Sequence, residues 1–154
     1  MPVINLTELR AGLPRGTRLI GLDPGSRTIG VALTDVSLML ASPYGAITRG
    51  KLAAVAAEVG RIARKEGAGG LVVGLPLSMD GTVGPAAQAA RDWTHALSAA
   101  TGLPAALWDE RLSSSAVNRF LIAEADMTRQ RRAEVVDKMA AAYMLQAALD
   151  ASAG

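Results

Sequence analysis

Between Arg18 and Thr48 the apolar residues fall in short runs, Leu19-Ile20-Gly21-Leu22 and then Ile29-Gly30-Val31-Ala32-Leu33. Turn signals separate them at Pro24-Gly25, near Asp35-Val36-Ser37 and at Ser42-Pro43. This pattern predicts three consecutive strands, the first two an antiparallel hairpin. From Lys51 to Glu66 the rhythm changes: Leu52, Val55, Ala56, Val59, Ile62 and Ala63 recur at helical spacing. Gly69-Gly70 then introduces Leu71-Val72-Val73-Gly74-Leu75, a continuous apolar run suited to a strand covered on both faces. A loop from Pro76 to Gly84 leads into a helix opening at Pro85, where proline is favoured in the first turn, and reaching about Ala100. Ala105-Ala106-Leu107-Trp108 makes the next crossing. One of Ser113, Ser114 and Ser115 can cap a helix reaching about Glu124, and Thr128 can cap a last long helix ending near Ala151. Residues 1–17, with Pro2, Gly12, Pro14 and Gly16, are expected to form a loose N-terminal extension to a single domain over 18–151.

The order β-β-β-α-β-α-β-α, with its last helical part split in two, predicts an α/β fold: a mixed sheet with helices packed on its faces. Asp23 ends the first strand and Asp109-Glu110 ends the fifth. This topology can place those two strands side by side and parallel, so that their tips share the edge where open α/β sheets bind ligands.

Composition narrows the chemistry. Hydrophobic residues make up 50% of the 154, but aromatic residues only 3%, so Ala, Leu and Val must fill the core and base stacking is not the main binding mode. The net charge of +2 names no partner. The basic residues are nearly all Arg, which suits bidentate phosphate contacts, although a high-GC genome also enriches Arg. The absence of cysteine excludes a disulfide framework, thiolate catalysis and sulfur-ligated zinc. No stretch has the apolar length of a signal peptide or membrane span, so a cytoplasmic protein is expected.

An acid at the tip of an apolar strand has a partner or holds a metal. Asp137, within Val135-Val136-Asp137-Lys138, falls just beyond the apolar arc of the last helix and can face the end of the sheet. One acid from each of three distant segments, Asp23, Glu110 and Asp137, is the arrangement a divalent-metal phosphodiesterase needs. Clustered carboxylates repel one another, and a divalent cation removes that penalty. Oxygen-only ligands favour Mg2+ or Mn2+ over zinc. Ordinary roles stand beside these: Asp23 can cap a turn, Asp137 can pair with a surface cation, and Asp109 can replace Glu110, since only one of two successive strand residues easily faces a cluster. Arg27 and Arg111 adjoin proposed ligands and can hold a nucleic-acid phosphate or balance the acids' charge. Arg129, Arg131 and Arg132 open the last helix, an end unfavourable to cations, which points to phosphate binding or to a basic surface segment. His95 reads as an exposed helix residue, and Trp93 and Trp108 as packing residues.

Three blocks resemble the YqgF family of Holliday-junction-resolvase-like, pre-16S rRNA nucleases with an RNase H-like fold. They are Gly21-Leu22-Asp23-Pro24-Gly25-Ser26-Arg27-Thr28-Ile29-Gly30-Val31-Ala32-Leu33-Thr34-Asp35, then Val73-Gly74-Leu75-Pro76-Leu77-Ser78-Met79-Asp80-Gly81, then Asp109-Glu110-Arg111-Leu112-Ser113-Ser114 with Val135-Val136-Asp137-Lys138. The resemblance spans roughly Arg18 to Asp150. It implies that Asp23, Glu110 and Asp137 ligate the metal and activate water for phosphodiester hydrolysis in structured nucleic acid, with ribosomal precursor RNA and precursor particles as partners. Pro24 stands where the family usually has an aromatic residue, and Asp23-Pro24-Gly25-Ser26-Arg27 is similar to the opening of the RuvC resolvases. Thr28 stands where a second basic residue is common, and Ser78 where asparagine is usual. These departures keep branched DNA open as the substrate. Two readings of other classes remain beside the nuclease: half of an actin-like or sugar-kinase phosphate-binding fold, and a non-catalytic RNase H-like module that grips RNA or a protein.

Overall fold

The computed structural model describes residues 3–24, 27–75, 84–109 and 129–153, the side chains of 129–135 excepted. Within them the chain runs α1 (Leu6–Gly12), β1 (Arg18–Pro24), β2 (Thr28–Thr34), β3 (Ala41–Thr48), α2 (Leu52–Glu66), β4 (Ala68–Leu75), α3 (Pro85–Thr101), β5 (Ala105–Asp109) and α4 (Arg129–Ser152). The expected helix from Ser113–Ser115 to Glu124, the cap Thr128 and most of the Pro76–Gly84 loop lie outside the described residues.

The strands form one mixed five-stranded sheet in the order β3-β2-β1-β4-β5. β1 and β2 make the expected antiparallel hairpin, and β3 continues the meander. β4 and β5 join on the other side, each parallel to its neighbour. β1 and β5 are therefore not adjacent, contrary to expectation: β4 lies between them. The chain returns through α2, passing β2 and β1, to place β4 at the free edge of β1, and then steps one place outward through α3 to β5.

The unbroken apolar strands are explained by their two covered faces. Ile20, Leu22, Ile29, Val31, Leu71 and Val73 pack with Val55, Val59 and Ile62 of α2 and Leu97 of α3. On the opposite face Leu19, Ala32, Val72 and Ala106 pack with Ala141, Met144, Leu145 and Leu149 of α4. α2 and α3 stop where Gly67 and Gly102 turn into left-handed backbone at φ 72° and 73°, and their N–H groups close the last turns on Ala63 and Ser98.

Residues 1–17 are not a loose extension. Asn5 caps α1 by accepting from the Glu8 N–H at 2.8 Å, and its own amide donates to the Glu8 carboxylate, a reciprocal cap. Leu6 and Leu9 are buried in the α4-side core, and Val3 bridges to Ala105 at the edge of β5. Arg10 donates to the Leu149 carbonyl at 3.0 Å and to the Ser152 hydroxyl at 2.9 Å, tying α1 to the last turn of α4. The glycine and proline content of this segment masked a capped amphipathic turn whose leucines have a core to enter.

Candidate active site

Side chains alternate along β1, so Leu19, Gly21 and Asp23 share the face covered by α4. A Cβ on Gly21 would stand 3.0 Å from the Leu145 side chain, which shows how closely that helix lies. Two residues on, Asp23 reaches the C-terminal end of the strand with 2% of its surface exposed. A carboxylate this buried must be paired, hydrogen-bonded or metal-bound. Asp23 does make a polar interaction in this structure.

Asp23 is the register partner of Gly30 on β2. A Cβ on Gly30 would lie 2.5 Å from the backbone carbonyl carbon of Asp137 and closer still to its oxygen. Glycine is thus required there because the backbone of α4 touches the sheet. The contact is possible because α4 presents alanine to the strands, with Ala140, Ala141 and Ala148 fully buried. Asp23 and Asp137 are brought to one end of the sheet by a strand register on one side and a missing side chain on the other. Thr28, which shares this face with Gly30 and Ala32, donates its hydroxyl to the Asp137 carboxylate. The sequence flagged Thr28 only as a departure from a family pattern. Its spacing from Gly30, two residues along one strand, is the signal that it belongs to the acid face.

Asp109 takes no place in this pair. It alternates with Ala105 and Leu107, which belong to the core beneath α2 and α3, so it sits on the opposite face from Asp23. Glu110 and Arg111 lie outside the described residues. Among the described residues no three Asp, Glu, His or Cys side chains gather as a metal group. The two acids that do converge offer hard oxygen donors of the kind Mg2+ and Mn2+ take.

Arg27 is exposed beside the β1–β2 turn, its carbonyl accepting from the Arg49 N–H at 2.9 Å. Arg129, Arg131 and Arg132 occupy the first turn of α4; their side chains lie outside the described residues. α4 passes from Gly30 at Asp137 to Gly21 at Leu145, so its first turn extends beyond the acid end of the sheet. At 1.5 Å per residue that places these backbones about 7–12 Å along the helix axis from Asp137. His95 is exposed, and Trp93 and Trp108 pack against the cores of opposite faces, as expected.

Residues 17–151 match the family described as "RuvX: Holliday junction resolvase". A relative from Gluconacetobacter diazotrophicus, named "Putative pre-16S rRNA nuclease", is 72% identical, covering 99% of each chain. Relatives of the same name from Gluconobacter oxydans and Rhodospirillum rubrum are 68% and 54% identical, covering 99% and 98% of this chain and 95% and 94% of their own. A solved structure described as T. thermophilus RuvC in complex with Holliday junction substrate superposes with a TM-score of 0.55 at 15% identity, over 90% of this chain and 96% of that one. At that identity the likeness is one of fold, and it bears out the RNase H-like architecture.

Proposed function

The chain belongs to the RuvX family of nucleases, and on that footing we propose that it hydrolyses phosphodiester bonds in pre-16S ribosomal RNA by a divalent-metal mechanism. The carrying observation is the convergence of Asp23 and Asp137 at one end of the sheet through Gly30. Asp23, Asp137 and Glu110 are the proposed ligands. The face taken by Asp109 supports Glu110 as the third, since Asp109 is turned away from Asp23.

Mg2+ or Mn2+ held there would supply Lewis acidity at the phosphate and lower the pKa of the attacking water. The chain's own residues set the geometry. Asp23 is rigid because it is buried in a paired strand. Asp137 is held by the α4 backbone against Gly30 and by the Thr28 hydroxyl, which occupies one of its acceptor positions and so selects the orientation of the group. Arg27 and Arg111 contact phosphates next to the reacting one, and Arg129, Arg131 and Arg132 guide the backbone of the nucleic acid past the end of the sheet. A ribosomal RNA precursor as substrate would go with a cytoplasmic location.

The test incubates the protein with a pre-16S rRNA fragment and, separately, a four-way DNA junction, in Mg2+, Mn2+ or EDTA, beside Asp23→Asn. Cation-dependent cutting of the RNA that is lost in the variant supports the proposal. Cutting of the junction with the RNA left intact would replace the substrate. Cutting that persists in EDTA or in Asp23→Asn would remove the mechanism.

A further inference from the structure

Among the described residues, the indole nitrogen of Trp108 is the buried side-chain nitrogen or oxygen that has no hydrogen-bond partner. An indole N–H can only donate, and leaving one buried without an acceptor costs on the order of 1–3 kcal/mol. Phenylalanine would place an aromatic ring here without that cost, so packing alone does not account for tryptophan at this position.

The position of the residue indicates what the donor serves. Trp108 packs against the α4-side core, the face that carries Asp23. In the β4–β5 register it stands opposite Gly74. In the β1–β4 register Leu22 pairs with Val73, so the next residues in line are Asp23 and Gly74. Asp23, Gly74 and Trp108 therefore form one row across β1, β4 and β5 at the acid end of the sheet. The middle member is a glycine and puts no side chain between the outer two. With strands about 4.8 Å apart the outer backbones are roughly 10 Å from each other, a gap that an indole and a carboxylate extended toward one another can span.

We propose that Trp108 is a positioning residue of the acid site: its indole N–H donates to a carboxylate oxygen of the acid cluster once a divalent cation is bound. The inference rests on the reading of Asp23 as a metal ligand. A carboxylate has more acceptor positions than a cation uses, and a fixed donor behind it decides which oxygen faces inward. The orphaned donor is the waiting half of that bond.

The experiment records indole N–H resonances of the full-length protein, assigned with Trp93→Phe and Trp108→Phe, as Mg2+ is added. Trp93 lies on the opposite face and serves as an internal control. The expected result is a downfield move and slowed solvent exchange of the Trp108 indole proton alone, both absent in Asp23→Asn. Trp108→Phe keeps the ring and should weaken Mg2+ binding by about 10–100-fold in calorimetry, with part of the affinity restored by Trp108→His. Shifts in the backbone amides of Thr28 and Asp137 with Mg2+, while the Trp108 indole stays still, would overturn this proposal and leave the metal reading standing. No response of those amides to Mg2+ would overturn both. An indole shift that waits for nucleic acid would make Trp108 a substrate contact and also overturn the proposal.

Discussion

Replacing Gly30 by alanine adds one methyl group at the point where α4 touches the sheet. That carbon would stand 2.5 Å from the Asp137 carbonyl carbon, nearer still to its oxygen, and 3.3 Å from the Ala141 side chain. Carbons pack best at about 3.5–4.0 Å, so α4 must retreat by roughly 1 Å or more. The obstructing atoms are helix backbone, which cannot swing aside as a side-chain tip can. Overpacking of this kind costs about 1–3 kcal/mol, occasionally more. The cost to catalysis should be larger, because the displaced residue is a proposed ligand and a 1 Å misplacement can lower a rate about 100-fold. Gly21→Ala is the milder comparison: its methyl meets the Leu145 side chain, Cβ included, at 3.0 Å, so α4 need give only by a few tenths of an ångström, two turns away from Asp137. Thermal unfolding and cleavage rate at saturating Mg2+ should be measured for both. The expectation is a folded Gly30→Ala protein of lowered Tm with about 100-fold slower cleavage, and a Gly21→Ala protein near wild type in rate. Wild-type stability and rate in Gly30→Ala would refute the claim that backbone contact at Gly30 sets the position of Asp137.

Thr28→Val removes the hydroxyl that holds Asp137 and preserves shape; cleavage should fall about tenfold or more and the Mg2+ requirement should rise, while Thr28→Ser restores both. An unchanged rate in Thr28→Val would show that Asp137 is held without it. Leu9→Ala should cost about 2–5 kcal/mol in denaturant unfolding, since Leu9 is 2% exposed; a loss under 1 kcal/mol would return α1 to the status of a dispensable arm. Tyr44 donates to Glu66 at 2.9 Å, and that bond, with burial adding to it, raises its pKa above the ordinary 10.0. A phenol with a raised folded-state pKa contributes stability in full below the unfolded value near 10, lost as pH climbs through the folded value. In a Tyr143→Phe background the rise in absorbance at 295 nm should therefore come above pH 10.0, and Glu66→Gln should bring it down. Asp35 accepts from Ser37, Met39 and Leu40, which lower its pKa from 3.8, so its contribution to the β2–β3 turn is present above that value and lost as pH falls through the lowered one. Asp35→Ala should remove any acid-side loosening of the Met39 and Leu40 amides seen by hydrogen exchange.

The sheet was legible because its signals are local. Pro24-Gly25 between two apolar runs specifies a hairpin, and Leu71 to Leu75 specifies a strand covered on both sides, with no knowledge of the rest of the chain. Strand order was less legible. Nothing in Ala105 to Asp109 says whether the strand lands beside β1 or one place further out, because crossover length and apolar pattern serve both. The N-terminal segment was misread because prolines and glycines outweighed Asn5 and Glu8, although the cap and the Leu6, Leu9 spacing were present in the text. The choice between Asp109 and Glu110 turns on strand parity, which is fixed only once Ala105 and Leu107 are known to face α2 and α3.

The parts of the site that sequence reading passed over are the ones without a charge. Gly30, Ala141 and Thr28 bear no chemistry that a search for acids and bases detects, yet they set how near Asp137 comes to Asp23. The alanine-rich, aromatic-poor composition gains a function in this light. A core filled with leucine or phenylalanine on this face would hold a helix some 8–10 Å or more from its neighbours, whereas small side chains let backbones approach. α4 carries alanine at 140, 141, 142 and 148 on its buried side and settles onto β2 until its carbonyl reaches a glycine. Enlarging Ala141 to leucine, a change that alters no charge, should therefore act on catalysis as Gly30→Ala does, by lifting Asp137 off the sheet.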